Sequence, residues 1–338
     1  MNRRDFLALV LAGASTASVP RSVLASESLN FDRAARYSAE RNGVSLAVMQ
    51  SGALLFEDYP NAGSATRAWE TASGTKSFCG VLAAAAAADG LLSLDERCAL
   101  TLEAWSADAR AGITLRQLLT LTSGLTGERI GRPPTYAASV SAPLRDPPGS
   151  RFEYGPTPFQ VFGEIMRRKL RAAGREGDPV AYLRARVLDP IGVTVDRWRR
   201  GTDDFPLLPQ GAALTARHWA RFGQWMLDGG KGVHAATLAA CFDGTTANPG
   251  YGLTWWLLRP GLVRPGPRTD LDSAVQAFGR NEDIAMAAGA GNQRLYLLRR
   301  RGLVVVRQAS GILEAMAGRG PAWSDADFLR ALLGESTR

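Results

Sequence analysis

Ser73 and Lys76 stand three residues apart at the mouth of the most apolar helix-forming stretch of the chain. It runs Thr71-Ala72-Ser73-Gly74-Thr75-Lys76-Ser77-Phe78-Cys79-Gly80, then Val81, Leu82 and a run of alanines, and Asp89-Gly90 closes it. Residues at i and i+3 share one helix face. A helix start directs free N–H groups and a positive dipole end toward Ser73. An ammonium among Ala, Cys and Phe is disfavoured by desolvation, which moves a lysine toward general-base behaviour. The chain has three lysines, Lys76, Lys169 and Lys231, among its 40 basic residues. Arginine is therefore its ordinary source of positive charge. A lysine in the most apolar helix points to proton transfer, which a guanidinium cannot perform. The competing reading is a Ser73 N-cap with Lys76 solvated one turn in, since S-x-x-K recurs by chance in many chains.

Other nucleophile chemistry has less support. His218 and His234 are the only histidines, and neither lies near a nucleophile motif. No G-x-S-x-G elbow occurs, which turns the chemistry toward a Ser-Lys solution. Cys79, Cys98 and Cys241 are odd in number and lack metal-ligand spacing. Cys79 reads as core packing, and one disulfide could form in an oxidising compartment. No metal site and no organic cofactor are implied.

The chain begins Met1-Asn2-Arg3-Arg4-Asp5-Phe6-Leu7, continues through an apolar run over residues 8–19 and reaches Val23-Leu24-Ala25. Twin arginines, a short apolar segment and small residues read as a twin-arginine export signal over residues 1–25. An uncleaved anchor is the alternative. The mature chain over residues 26–338 is long enough for one large domain or two intimately packed ones, periplasmic or secreted, with no stable membrane span after processing. Removing Arg3, Arg4, Asp5 and Arg21 takes the formal net charge from +8 to +6. The arginines are dispersed and lack aromatic interleaving, so nucleic acid is not an expected partner.

Elements that must position the pair follow from patterning. Residues 43–49 and 53–59 read as a hairpin around Gln50-Ser51-Gly52. A helical pattern runs over residues 91–121, with one segment starting at Leu92 and another over 113–119, and helices are expected near residues 158–170, 179–187, 215–227 and 324–333. Residues 126–150 read as a Gly/Pro/Ser-rich surface loop, and residues 251–258 as a strand. Residues 294–299 and 303–308 read as strands around a basic turn. Strands cluster at both chain ends and helices in the middle. That order suits an α/β (α+β) fold, with an antiparallel sheet built from both ends and a helical subdomain inserted at roughly 91–244. The Ser73 helix would lie at the junction, a common place for a cleft.

With these stretches in view, the chain resembles the serine β-lactamase-related hydrolases: class C β-lactamases, DD-peptidases, family VIII esterases and nylon-oligomer hydrolases. The resemblance covers about residues 43–310. It rests on the residue 71–76 motif, Asp89-Gly90-Leu91-Leu92-Ser93-Leu94-Asp95, Ile113-Thr114-Leu115-Arg116-Gln117-Leu118-Leu119 and Thr122-Ser123-Gly124-Leu125. Further on come Pro147-Pro148-Gly149-Ser150-Arg151-Phe152-Glu153-Tyr154, Ala216-Arg217-His218-Trp219-Ala220-Arg221-Phe222-Gly223 and Tyr251-Gly252-Leu253-Thr254-Trp255-Trp256. Any one is weak, but their order and spacing together are specific. The resemblance implies a β-lactamase/transpeptidase-like fold, Ser73 as nucleophile, Lys76 as its base or proton relay, and Tyr154 as the tyrosine sharing that proton. The competing reading of Tyr154 is a buried aromatic after a Pro-Pro-Gly turn.

Two departures bear on substrate. The second motif of lactamases and peptidases ends in Asn two residues after the Tyr, where this chain has Pro156. The third, normally Lys-Thr-Gly or His-Thr-Gly, aligns with Ala287-Ala288-Gly289. The groups that bind a substrate carboxylate would then be missing. The backbone N–H groups of Ser73 and Ala290, beside the close-approach Gly289, could still form an oxyanion hole. The alternative is a simple Gly/Ala turn before a strand. The expectation is an ester or small-amide hydrolase with poor β-lactam turnover. Competing readings are a peptidoglycan DD-carboxypeptidase or β-lactamase, and a non-catalytic binding or sensing protein. Trp198, Trp255, Trp256 and Tyr136 read as core or as pocket lining.

Overall fold

The computed structural model describes residues 29–126, 129–266, 271 and 273–334. The export-signal reading of residues 1–25 lies outside them. Nine strands are described: β1 Gly43–Gln50, β2 Ala53–Asp58, β3 Trp69–Glu70, β4 Arg197–Trp198, β5 Ala212–Leu214, β6 Trp256–Leu257, β7 Ile284–Gly289, β8 Gln293–Leu298 and β9 Leu303–Ala309. Six make the main sheet in the order β2-β1-β9-β8-β7-β6, antiparallel throughout. The two chain ends therefore share one sheet, since β1 pairs with β2 on one side and β9 on the other. The small sheet, β3-β5-β4, lies beside the Ser73 turn.

The helices used below are α1 Phe31–Ala39, α2 Ser77–Ala88, α3 Leu115–Leu119, α4 Tyr136–Val140, α5 Thr157–Ala172, α6 Pro179–Leu183, α7 Ala216–Leu227, α8 Ala235–Ala239, α9 Ser273–Glu282, α10 Ile312–Met316 and α11 Asp325–Leu333. Their starts follow side-chain capping. Thr114 and Gln117 form a reciprocal capping box on α3, Thr215 accepts from His218 N at the start of α7, and Ser324 accepts from Asp327 N at the start of α11. Helix α7 packs on β1, β8 and β9. A methyl at Gly223 would sit 2.7 Å from Val304 Cγ1, so the helix needs glycine to lie that close to the sheet. Helices α1 and α11 pack together, with Asp325 buried against Arg294, Trp323 and the Tyr296 hydroxyl.

Four elements differ from the sequence expectations. The helical pattern over residues 91–121 gives 3-10 turns at Cys98–Leu100, Glu103–Ala107 and Ala109–Gly112, and an α-helix only at α3. Residues 251–258 are not one strand: Thr254 has φ +72° and Gly252 N donates to Trp255 O, so the chain turns before β6. The 126–150 loop holds the short helix α4, capped by Thr135 and anchored by Tyr136, whose hydroxyl donates to Pro206 O. Beyond α6 the helix continues as a π turn over Arg184–Leu188. All three cysteines are buried and free. No helix among the described residues is long and apolar enough to cross a membrane.

Helix α2 carries Lys76 at its N-cap and is buried from Ser77 to Ala86. Its alanines let neighbouring elements approach on every side, at the cost of a polar face. Its far end is held by charge instead. Asp89, at the C-cap, is an unfavourable sign for a helix C-terminus. Arg186 Nη2 donates to its Oδ1 at 2.7 Å, Tyr182 Oη to Oδ2 at 2.9 Å and Arg175 Nη1 to Oδ2 at 3.0 Å. The Arg186 bonds first, then those of Tyr182 and Arg175, hold the Asp89 carboxyl down to about 2 against the opposing effect of burial. Because this folded-state value lies below the ordinary one, the stabilisation is present above the usual carboxylate range. It is lost as pH falls through about 2. An Asp89→Asn variant is expected to unfold at lower urea near neutral pH, with the gap from wild type closing as pH falls toward about 2. Urea titrations across that pH range check it.

Candidate active site

The turn before α2 is a 3-10 helix over Ala72–Lys76. Ala72 enters it at φ +47°, a left-handed conformation that costs a non-glycine residue roughly 1–3 kcal/mol. The surroundings impose it. Thr71 N and Oγ1 both reach Ala212 O, at 2.9 and 3.2 Å, and Thr75 Oγ1 accepts from Ala212 N at 3.1 Å. The two threonine hydroxyls also meet at 3.1 Å. Strand β5 thus clamps the turn from one side. Strand β7 closes the other: a methyl at Gly289 would lie 2.0 Å from Thr71 O and 3.1 Å from Gly74 N. Only a residue without Cβ allows the strand and turn backbones to touch in this way.

This framework places Lys76 Nζ 3.0 Å from Ser73 Oγ and 2.8 Å from Pro209 O. Lys76 is 5 % exposed, and among the described residues no carboxylate lies within ion-pair distance of it. Aromatic rings take that place: Nζ is 4.9 Å from the Tyr154 ring centroid and 5.4 Å from that of Phe159. Tyr154 is set by Tyr251 and Trp256, with centroids 6.5 and 5.4 Å away. Burial pushes the Tyr251 phenol well above its ordinary range, with the Tyr154 charge adding, so Tyr251 stays protonated behind Tyr154. A lysine amine beside a serine hydroxyl, with a tyrosine ring facing both, can pass protons during acyl transfer.

The cleft over Ser73 is lined by Lys76, Tyr154, Gly155, Pro156, Pro209, Gln210 and the Ile130–Gly131 backbone. Its free space is about 10 Å³, room for about one water. Ser73, Lys76 and Tyr154 therefore share one cleft. Gly289 meets the Ser73 turn from the sheet side, and Ala290 follows it in the turn to β8. Pro156 brings no side-chain amide to this wall. Trp198, Trp255, Trp256 and Tyr136 are buried and do not line the cleft; Trp256 backs Tyr154. Both histidines serve backbone groups elsewhere: His218 Nδ1 accepts from Thr194 N, and His234 caps α8. Cys79 is packed in the core, its thiol pushed up by burial.

Pro209 and Gln210 did not stand out in the sequence. Pro209 acts through a carbonyl, which any residue would supply. Gln210 belongs to no motif, and only its position beside that carbonyl gives it access to the cleft. No group of three or more metal-ligating side chains occurs among the described residues.

The β-lactamase family model matches residues 31–311, and the chain belongs to that family. Among solved structures, the chain is similar to a putative β-lactamase from Bacteroides dorei DSM 17855. Identity is 19 % with a TM-score of 0.71, covering 91 % of this chain and 100 % of that one. It is also similar to a β-lactamase/D-alanine carboxypeptidase from Pseudomonas syringae, at 16 % identity, TM-score 0.66, and 91 % and 98 % coverage. EstCE1, a hydrolase with promiscuous acyltransferase activity, matches at 15 % identity, TM-score 0.65, and 90 % and 96 % coverage. These likenesses show the β-lactamase/transpeptidase-like fold, an α/β arrangement of helices and antiparallel sheet. A comparison with curated proteins found no match.

The contact at Gly289 is testable. Gly289→Ala drives a methyl into backbone that has no side chain to yield, so the Ser73 turn must move. Modification of Ser73 by a fluorophosphonate is expected to slow at least about tenfold, in a protein whose circular dichroism stays folded, since a 1 Å misplacement can cost about a hundredfold. Intact-mass kinetics on the two proteins check this.

Proposed function

We propose that this chain is an exported serine hydrolase that cleaves small esters or amides through an acyl-enzyme. The observation that carries the reading is the buried Lys76 Nζ 3.0 Å from Ser73 Oγ, with the Tyr154 ring over it and, among the described residues, no carboxylate paired with it. In the structure Lys76 Nζ donates to Ser73 Oγ and to Pro209 O; in the reacting form Nζ is the amine that accepts from the Ser73 hydroxyl. Ser73 Oγ attacks the substrate carbonyl carbon as its proton passes to Nζ. The oxygen charge is met by the N–H groups of Ser73 and Ala290, which Gly289 allows to converge. Collapse expels the alcohol or amine, which takes a proton from the Lys76–Tyr154 pair. Water then attacks the acyl-enzyme, giving its proton to the same pair, and Ser73 is regenerated. Each step uses only groups of this chain.

A small, neutral acyl group is favoured by the narrow cleft and by the absence of side-chain charge at Ala287-Ala288-Gly289. Penicillins and D-Ala-D-Ala ends carry a carboxylate, for which this strand offers no cation or hydroxyl. Structures of this fold include a β-lactamase/D-alanine carboxypeptidase from Pseudomonas syringae and EstCE1, a hydrolase with promiscuous acyltransferase activity. We place the working protein in the periplasm or outside the cell, as residues 26–338, with residues 91–244 as its helical subdomain.

Intact mass after treatment with a fluorophosphonate should show one adduct on wild type and none on Ser73→Ala. Lys76→Ala and Tyr154→Phe should each lower ester kcat/KM by roughly 10²-fold or more. An absent wild-type adduct would leave the binding or sensing role in its place. β-Lactam turnover equal to that on the best ester, or release of D-alanine from muropeptides, would overturn the substrate assignment.

A further inference from the structure

We propose that Gln210 selects the substrate by hydrogen-bonding a neutral amide or carbonyl group next to the scissile bond. The proposal rests on the acyl-transfer reading above and names the kind of acyl group that reading leaves open. Among the described residues, four with polar side-chain atoms line the cleft: Ser73, Lys76, Tyr154 and Gln210. The first three are engaged in proton transfer. The remaining lining residues, Ile130, Gly131, Gly155, Pro156 and Pro209, offer no polar side-chain atom. Among the described residues, an orienting bond from a side chain to the substrate at this wall therefore comes from Gln210.

Its placement suits the task. Pro209, the preceding residue, puts its carbonyl 2.8 Å from Lys76 Nζ, and Nζ is 3.0 Å from Ser73 Oγ. Gln210 thus enters the cleft one residue from the groups that hold the nucleophile. Its Nε2 donates to Gly131 O at 3.5 Å, at the weak end of the hydrogen-bond range. That bond is readily exchanged for a substrate carbonyl. Its Oε1 accepts no hydrogen bond among the described residues and is available to a substrate N–H. The side chain is half-buried, so its bonds compete less with water than those of a surface amide.

The chemistry of the group sets the substrate class. A primary amide is both donor and acceptor and carries no charge. It matches another amide or a carbonyl, and it supplies no cation for a carboxylate. Pro156 on the facing segment has no amide to share the work. The acyl portion is then one carrying an amide close to the reacting carbonyl, as in an N-acylamino ester.

Two p-nitrophenyl esters of similar size test this: the N-acetylglycine ester and the valerate ester. Gln210→Met keeps the length of the side chain and removes its hydrogen bonds; Gln210→Ala removes both. Wild type should prefer the amide-bearing ester. Both variants should lower kcat/KM on it roughly tenfold, chiefly through KM, a loss of the size of one neutral hydrogen bond. Valerate kcat/KM should fall clearly less than that of the amide-bearing ester, the rate of Ser73 modification by fluorophosphonate should fall less still, and a melting curve should show Gln210→Met folded. Equal loss on both esters, or Ser73 modification slowed as much as the amide-bearing ester, would make Gln210 a support of the turn and overturn the proposal. An unchanged ester preference would overturn it too. A wild-type protein that takes no adduct at Ser73 fails earlier, at the acyl-transfer reading itself.

Discussion

A lysine buried with no carboxylate paired to it among the described residues is the constraint around which this molecule is arranged. Taking an ammonium out of water is costly unless its protons are satisfied or its charge can leave. Lys76 has one hydroxyl, one carbonyl and two aromatic faces around it. None of these fixes the proton as a carboxylate would. They hold Nζ 3.0 Å from Ser73 Oγ. The apolar walls of α2 and the rings of Tyr154 and Phe159 are therefore part of the chemistry as much as part of the core.

The second requirement is that the turn bearing Ser73 cannot relax. Ala72 sits in a conformation that an isolated peptide would leave. It is held by two threonine hydroxyls on the β5 side and by bare backbone at Gly289 on the β7 side. Strands from two different sheets thus converge on five residues. Neither sheet alone would suffice: hydrogen bonds from β5 fix the height of the turn, and van der Waals contact with β7 prevents it from rotating outward. Strain at Ala72 is the local cost of holding Ser73 up to the cleft.

Much of the architecture was legible because it follows from period and punctuation. The hairpin of β1 and β2 has its Gln50-Ser51-Gly52 turn, α7 starts at Thr215, α11 starts at Ser324, and β8 and β9 flank a basic turn. These are local signals, and the structure carries them through. The bend at Thr254 was hidden because residues 251–258 are uniformly apolar, and φ at one threonine is decided by the packing of Thr254 N on Leu119 O. Helix α4 was hidden within a Pro-rich stretch, its formation depending on Tyr136 reaching Pro206 O and stacking on Phe205. At the cleft, the residues that could be read were those whose side-chain chemistry is distinctive: Ser73, Lys76 and Tyr154. Pro209 contributes a carbonyl, and Gln210 enters by tertiary placement, so neither leaves a mark in the sequence.

The sheet has a consequence for how the chain is made. Strand β1 lies between β2 and β9, and its pairing partners at residues 303–309 are translated some 250 residues after it. Until they emerge, β1 and β2 form a two-stranded ribbon, too small to be stable alone. Strand β1 is buried almost end to end in the finished protein, so its Val44, Leu46 and Val48 side chains wait in the open for that interval. Helix α7, which covers β1, also arrives before the sheet it must cover. The nascent chain therefore cannot assemble from its N-terminus forward; its core closes only when β8 and β9 are released from the ribosome. In the meantime its earliest apolar strand is the segment most in need of a chaperone.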